Sequence, residues 1–191
     1  GDGITMKKKY DVYGIGNALV DLEFKVDAQF LADHNVSKGV MTLVDEETQS
    51  RLINAINVDD LVRKSGGSAA NTIIAISQFG GKSFYSCKVA NDEYGDFYLS
   101  DMNEAGVDTN LDNSTREGGI TGKCLVMITS DADRTMNTFL GITTGLSVNE
   151  INEHAIKESK YVYLEGYLVA SDTGLEAMKL GKKTAEENGV L

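Results

Sequence analysis

Gly66-Gly67-Ser68-Ala69-Ala70-Asn71-Thr72-Ile73-Ile74-Ala75-Ile76-Ser77-Gln78-Phe79 follows directly on Asp60-Leu61-Val62-Arg63-Lys64-Ser65, a run with strand character. Two glycines between a strand and a helix let a ligand approach the backbone with no Cβ in the way. They also aim the free N–H groups and positive dipole end of the helix at whatever sits there. Asn71, one turn in, carries an amide that both donates and accepts, which suits a sugar hydroxyl. A tight turn whose small residues serve only helix–sheet packing explains the same glycines equally well. The helix itself has almost no polar face, so it is expected to be buried.

Upstream, Tyr10–Val26 opens on the apolar run YDVYGIG and alternates into NALVDLEFKV. Gly14-Ile15-Gly16 invites a dinucleotide reading, but Leu19 stands at the third glycine position and the segment continues as strand, which excludes it. Strand alternation puts Asn17, Asp21 and Glu23 on one face. A carboxylate such as Asp21 accepts from two vicinal hydroxyls at once; a solvated polar face is the alternative for Asp21 and the favoured reading for Glu23. Asn17 and Asp21 would lie roughly 13 Å apart on a straight strand. Both reach one sugar only if the chain leaves the sheet between them, with Asp21 and Asn71 then flanking a shared cleft.

Downstream, the strand KSFYSCKVA leads to a helix over EYGDFYLSDMNEAG and the short strand VDTN. Residues 118–140 read as two β runs, TGKCLVMITS and RTMNTFL, joined by the turn Asp131-Ala132-Asp133. Ser147 and Glu150 make a capping box that opens a helix. The strand KYVYLEGYL, an amphipathic helix over about 173–188 and an incipient strand GVL complete the chain. Strands alternating with helices indicate a layered α/β fold on a mainly parallel sheet. The β pair near 120–140 and the small strand GVMTLV near 40 fall outside that rhythm and indicate a separate small β-sheet.

With 191 residues, 41% hydrophobic and 25% charged, the chain suits a water-soluble fold with one substantial core. A net charge of −11 repels nucleic acid and anionic membranes, so neither is an expected partner. No apolar run approaches the ~20 residues of a membrane span, and cytosol is the expected setting. Cys87 and Cys124 lie in apolar strand-like runs and are expected as buried free thiols. His34 and His154 have no partner at ligand spacing, so no metal site is expected on them.

GIGNALVD followed by GGSAANTIIAISQFGG resembles the opening and first signature of the PfkB, or ribokinase, family of carbohydrate and nucleoside kinases. VANDEYGDFYLSDMNEAGVDT is similar to the family's G-x-D-x-x-G segment, with Ala90 where glycine is usual. TGKCLVMITSDADRTMNTFLG resembles its lid strand pair, and YVYLEGYL its strand-to-loop segment after the lid. The likeness runs in unbroken order from Tyr10 to Leu191 and is greatest to the adenosine-kinase branch. It implies a three-layer α/β/α ribokinase-like domain with a small β-sheet lid. Residues 1–9 then read as a tag or disordered N-terminus, and 10–191 as the N-terminal part of the kinase domain, with lid strands near 18–44 and 118–140.

The resemblance assigns Asn17, Asp21, Gly66, Gly67 and Asn71 to sugar-hydroxyl contacts. It places Arg134 near the transferring phosphate and Met136 and Tyr167 against a base, with Thr42 a weaker lid candidate. A surface arginine paired with Asp131 or Asp133 is the plain alternative for Arg134, and simple packing the alternative for Met136 and Tyr167. It implies ATP and Mg2+ as cofactors, and a small-molecule acceptor phosphorylated on a primary hydroxyl. Arg134 and Tyr167 favour the 5′-OH of adenosine or another nucleoside over ribose, fructose or another ketose. The state is expected to be a monomer or a homodimer through the lid. The family's second signature, with its anion hole and catalytic aspartate, has no counterpart in this chain. The 191 residues alone are therefore expected to be inactive, and a catalytically silent nucleoside- or sugar-binding protein is the rival of a different class.

Overall fold

A computed structural model describes residues 7–166, 168 and 171–191, and its strands divide into two sheets. The first is four-stranded and parallel, in the order β6 (Val107–Thr109), β5 (Ser83–Ser86), β1 (Tyr10–Ile15) and β9 (Ser159–Leu164). Alternation along β1 and β5 sends Val12 and Tyr85 to one side and Tyr13, Ile15 and Phe84 to the other, so both faces need cover. Helices α3 (Ser68–Gln78) and α4 (Glu93–Glu104) bury Ile73, Tyr98 and Met102 on the first side. Helices α5 (Glu153–Lys157) and α6 (Asp172–Glu187) bury Ile156, Ala177 and Ala185 on the second. The result is the expected three layers. Fully burying a side chain such as Ile73 contributes about 1.5–3 kcal/mol.

The second sheet is five-stranded and mixed: β3 (Met41–Leu43), β8 (Arg134–Phe139), β7 (Lys123–Ile128), β2 (Leu19–Lys25) and β4 (Val62–Gly66). Val20, Leu22, Phe24, Leu125 and Met127 point from one of its faces into the core. They pack there with Leu31 of α1 (Ala28–Asp33) and Leu52 of α2 (Glu46–Asn54). The run DLVRKS is the antiparallel edge of this sheet, so the small sheet extends beyond the two stretches expected for it. No helix among the described residues is long and apolar enough to cross a membrane. Both cysteines are free and buried.

Two local expectations need correction. The capping box at Ser147 and Glu150 forms, but it opens a single 3-10 turn, Val148–Glu150. Asn152 then caps α5 separately, because Ile151 already has extended backbone. Helix α3 is buried on one face only: Ala69, Ala70 and Ile73 are covered, Ile74 and Ile76 are partly covered, and Phe79 is 92% exposed. Helix packing here covers only the side facing β1 and β5. At the other end of the chain, Leu191 exchanges backbone hydrogen bonds with Lys160 and Val162, laying the last residues beside β9.

Candidate functional site

The chain leaves the first sheet between Ile15 and Leu19, the departure expected if Asn17 and Asp21 are to face one cleft. β1 ends at its carboxyl edge, the usual place for a ligand in a parallel sheet. Gly16 makes the departure sterically open, since a Cβ there would lie 2.5 Å from the Tyr85 hydroxyl. Asn17 sits in the gap and β2 then carries Asp21 into the second sheet.

Glycines 66 and 67 close over this gap. A Cβ on Gly66 would collide with the carboxylate of Asp21. One on Gly67, whose φ is +104°, would strike the backbone oxygen of Asn17. Asn17, Asp21, Gly66 and Gly67 are thus in direct contact. Two buried tyrosines brace the same backbone: Tyr85 donates to the Asn17 carbonyl at 2.9 Å and Tyr98 to the Gly66 carbonyl at 3.2 Å. Burial raises both phenols well above their ordinary range, so they remain donors.

Glu165, just past β9, is the residue that sequence reasoning missed. It is 4% exposed and gathers three donors. Its Oε2 accepts from the Asn17 N–H at 2.9 Å; its Oε1 accepts from the Ser68 hydroxyl at 3.0 Å and the Ala69 N–H at 3.2 Å. Gly67, at the N-cap of α3, supplies no side-chain cap, so a carboxylate from a distant strand does so instead. The only sequence signal was an acidic residue ending an apolar strand. The side-chain oxygen of Asn17 in turn accepts from Thr143 at 2.9 Å. Its amide N–H groups make no hydrogen bond among the described residues. Asn71 lies in the first turn of α3, exposed, its backbone N–H bonded to the Gly67 carbonyl.

Register places Asp21, Glu23, Lys64, Cys124, Arg134 and Met136 on one face of the second sheet, opposite its core face. Burial first, and the neighbouring Glu23 second, push the Asp21 carboxyl up to about 6, against the opposing pull of Arg134 and Lys64. Arg134 corrects its plain alternative: it pairs at 2.8 Å with Glu23, while Asp131 and Asp133 take Lys38. The cause is the register, which lays the arginine side chain over the sheet face instead of back along the turn. Glu23, expected as a solvated residue, has a side chain only 17% exposed. Thr42 is in register with Asn137 and belongs to the opposite face; Met41 and Leu43 are the β3 residues that share the face of Met136. Tyr167 lies outside the described residues.

Beside this face is a largely apolar cleft of about 490 Å³, lined by Leu43, Ile120, Thr138, Leu140 and Ile142 among others. Thr138 belongs to the Asp21 face, and Ile142 adjoins Thr143, the partner of Asn17. Among the described residues no group of three or more His, Cys, Asp or Glu could hold a metal ion.

Residues 35–191 match the family described as pfkB family carbohydrate kinase. A 5-dehydro-2-deoxygluconokinase of Halalkalibacterium halodurans is 32% identical over 189 residues, 98% of this chain and 50% of that protein. The solved adenosine kinase of Sinorhizobium meliloti superposes with a TM-score of 0.83 at 32% identity, over 95% of this chain and 55% of its own. A probable sugar kinase of Rhizobium etli gives 0.85 at 31% identity, over 96% and 55%. The fold is therefore ribokinase-like. The chain spans half or less of the length of the curated relatives it matches, 38% of a Geobacillus thermodenitrificans protein and 50% of the Halalkalibacterium one.

Proposed function

Because this chain belongs to the pfkB family of carbohydrate kinases, we propose that it carries the acceptor half of a kinase site. The whole protein then transfers the γ-phosphoryl group of ATP to a primary hydroxyl of a nucleoside. The observation that carries this reading is the contact of Asn17, Asp21, Gly66 and Gly67 at the end of β1, with the Asp21 carboxylate free of any hydrogen bond or ion pair among the described residues. A half-buried carboxylate over a glycine backbone is built to accept from hydroxyls.

In this reading Asp21 and the Asn71 amide orient the sugar, the Asn17 amide N–H adds a donor, and Met136 and the apolar cleft take the base. Arg134, on the same face, neutralises charge on the phosphoryl group as the acceptor oxygen bonds to the γ-phosphorus and the bridging P–O bond to ADP breaks. The proton of the acceptor hydroxyl passes to a carboxylate base supplied elsewhere in the whole protein, because Asp21 is committed to orienting the acceptor. Among the described residues no cluster of carboxylates fits Mg2+.

A sugar or sugar-acid acceptor is the second reading, favoured by the 189-residue likeness to a 5-dehydro-2-deoxygluconokinase. The apolar cleft favours the nucleoside, whose base needs apolar walls more than donors. Phosphate transfer from labelled ATP by the whole protein, offered adenosine, guanosine, ribose, fructose and 5-dehydro-2-deoxygluconate, tests both. Labelled adenosine 5′-phosphate supports the nucleoside reading. Transfer to the sugars alone overturns it, and transfer to none overturns the kinase reading.

A further inference from the structure

The acceptor face of the second sheet holds two carboxylates, Asp21 and Glu23, and three cations, Lys25, Lys64 and Arg134, and the pairing of the last two departs from their register. Lys64 of β4 lies directly across from Asp21 of β2, the arrangement in which an ammonium and a carboxylate would ordinarily meet. Its Nζ goes instead to the diagonal neighbour, donating to Glu23 Oε2 at 3.1 Å. Arg134 lies two strands away, in the row of Ile128 and Lys25, and its side chain crosses β7 to donate to Glu23 Oε1 at 2.8 Å. Lys64 and Arg134 therefore converge on Glu23, one on each oxygen, and neither is bonded to Asp21.

We infer that Glu23 is a positioning residue of the acceptor site: by holding Lys64 and Arg134 on its two carboxylate oxygens it keeps both cations from closing on Asp21. This inference rests on the reading of Asp21 as the residue that grips the acceptor. The physical logic is competition for one carboxylate. An Asp21 engaged by Lys64 or Arg134 has its lone pairs occupied, and an acceptor hydroxyl must displace a charged donor to bind. Glu23 is one methylene longer and two residues further along the strand, on the same face, so it reaches outward to both cations. The Asp21 carboxylate lies inward, over Gly66. Lys64 and Arg134 still act on Asp21 through space, without touching it. They are also held where a phosphoryl group arriving on the acceptor face would meet them.

The test is Glu23→Gln, which keeps the shape and removes the charge. A crystal structure of the variant is expected to show Lys64 or Arg134 within about 4 Å of the Asp21 carboxylate. Calorimetric titration with adenosine, ribose and 5-dehydro-2-deoxygluconate is expected to show roughly five- to tenfold weaker binding of whichever probe the wild type takes. Adding Lys64→Met to Glu23→Gln is expected to recover most of that affinity, because the competing ammonium is gone; a residue that merely supports the sheet would lose more. Glu23→Asp, which keeps the charge, is likewise expected to bind better than Glu23→Gln, and it carries the test if the glutamine variant does not fold. Cations that stay away from Asp21, unchanged affinity, or a double variant weaker than the single one would overturn the inference. If the wild type binds none of the probes, the acceptor reading fails, and the cation positions in the variant structure decide the inference alone.

Discussion

Replacing Glu165 with glutamine takes away one of two acceptor oxygens at the point where β1, α3 and β9 meet. The carboxylate serves the Asn17 N–H on one oxygen and the Ser68 hydroxyl and Ala69 N–H on the other. A glutamine satisfies one side and turns an NH2 group against a donor on the other. A buried donor left without a partner costs about 1–3 kcal/mol. Loss of the negative charge at the N-terminus of α3 adds about 0.5–1 kcal/mol. The expected destabilisation is about 2–4 kcal/mol, or roughly 5–15 °C in Tm for a chain of this size. Urea unfolding followed by far-UV circular dichroism checks it: the midpoint falls with the slope unchanged. Asn17 is displaced in the variant, so affinity for the acceptor falls with stability. A Glu165→Gln protein within about 0.5 kcal/mol of wild type would mean that the three donors are satisfied without the carboxylate.

Asp21→Asn is expected to separate stability from binding. The Asp21 carboxyl, raised from 3.8 to about 6, folds more readily as the neutral acid. Its contribution to stability is fully present below 3.8 and is lost as pH rises through about 6. At pH 7.5 the asparagine variant is therefore more stable than wild type, by about 1–2 kcal/mol. Acceptor binding runs the other way. Wild-type affinity rises between pH 5 and 7.5 with a midpoint near 6, whereas the variant is flat with pH and at least tenfold weaker, about the worth of one charge-assisted hydrogen bond; a pH dependence that survives in the variant assigns the titration to another group. The two glycines divide differently. Gly67→Ala forces an alanine to φ +104° against the Asn17 carbonyl and costs about 2–4 kcal/mol of stability. Gly66→Ala meets the movable Asp21 side chain first, so acceptor affinity falls more than stability does, and equal unfolding midpoints for the two alanine variants would contradict this.

How much of this was legible follows from how far apart the interacting residues stand. β1, α3, α4 and β9 were readable because each carries its own period and end signals. Helix α6, expected over 173–188 and found at Asp172–Glu187, shows how closely a local amphipathic pattern is honoured. The departure of the chain after Ile15 followed from the expectation that Asn17 and Asp21 share one ligand, which a straight strand does not allow. Glu165 was not readable, because its three donors lie 96 to 148 residues away in sequence and no local pattern marks a cap supplied from another strand. The partner of Arg134 was hidden for the same reason, and the alternative that paired it with Asp131 or Asp133 does not hold. Asp131 and Asp133 are near in sequence, but the parallel pairing of β2 with β7 brings Glu23, 111 residues away, within reach. Helix α3 was overread as wholly buried because composition reports the capacity to be covered and not whether a neighbour covers it.

Whether Asn17, Asp21, Gly66, Gly67 and Asn71 form one acceptor site is decided by a crystal structure of the protein soaked with adenosine, and separately with 5-dehydro-2-deoxygluconate. Hydroxyls of one bound molecule are expected at about 2.6–3.2 Å from both the Asp21 carboxylate and the Asn71 amide, against the backbone of Gly66 and Gly67. Asp21 and Asn71 facing separate regions of solvent, or the acceptor bound on another surface while Asp21 stays unliganded, would contradict it.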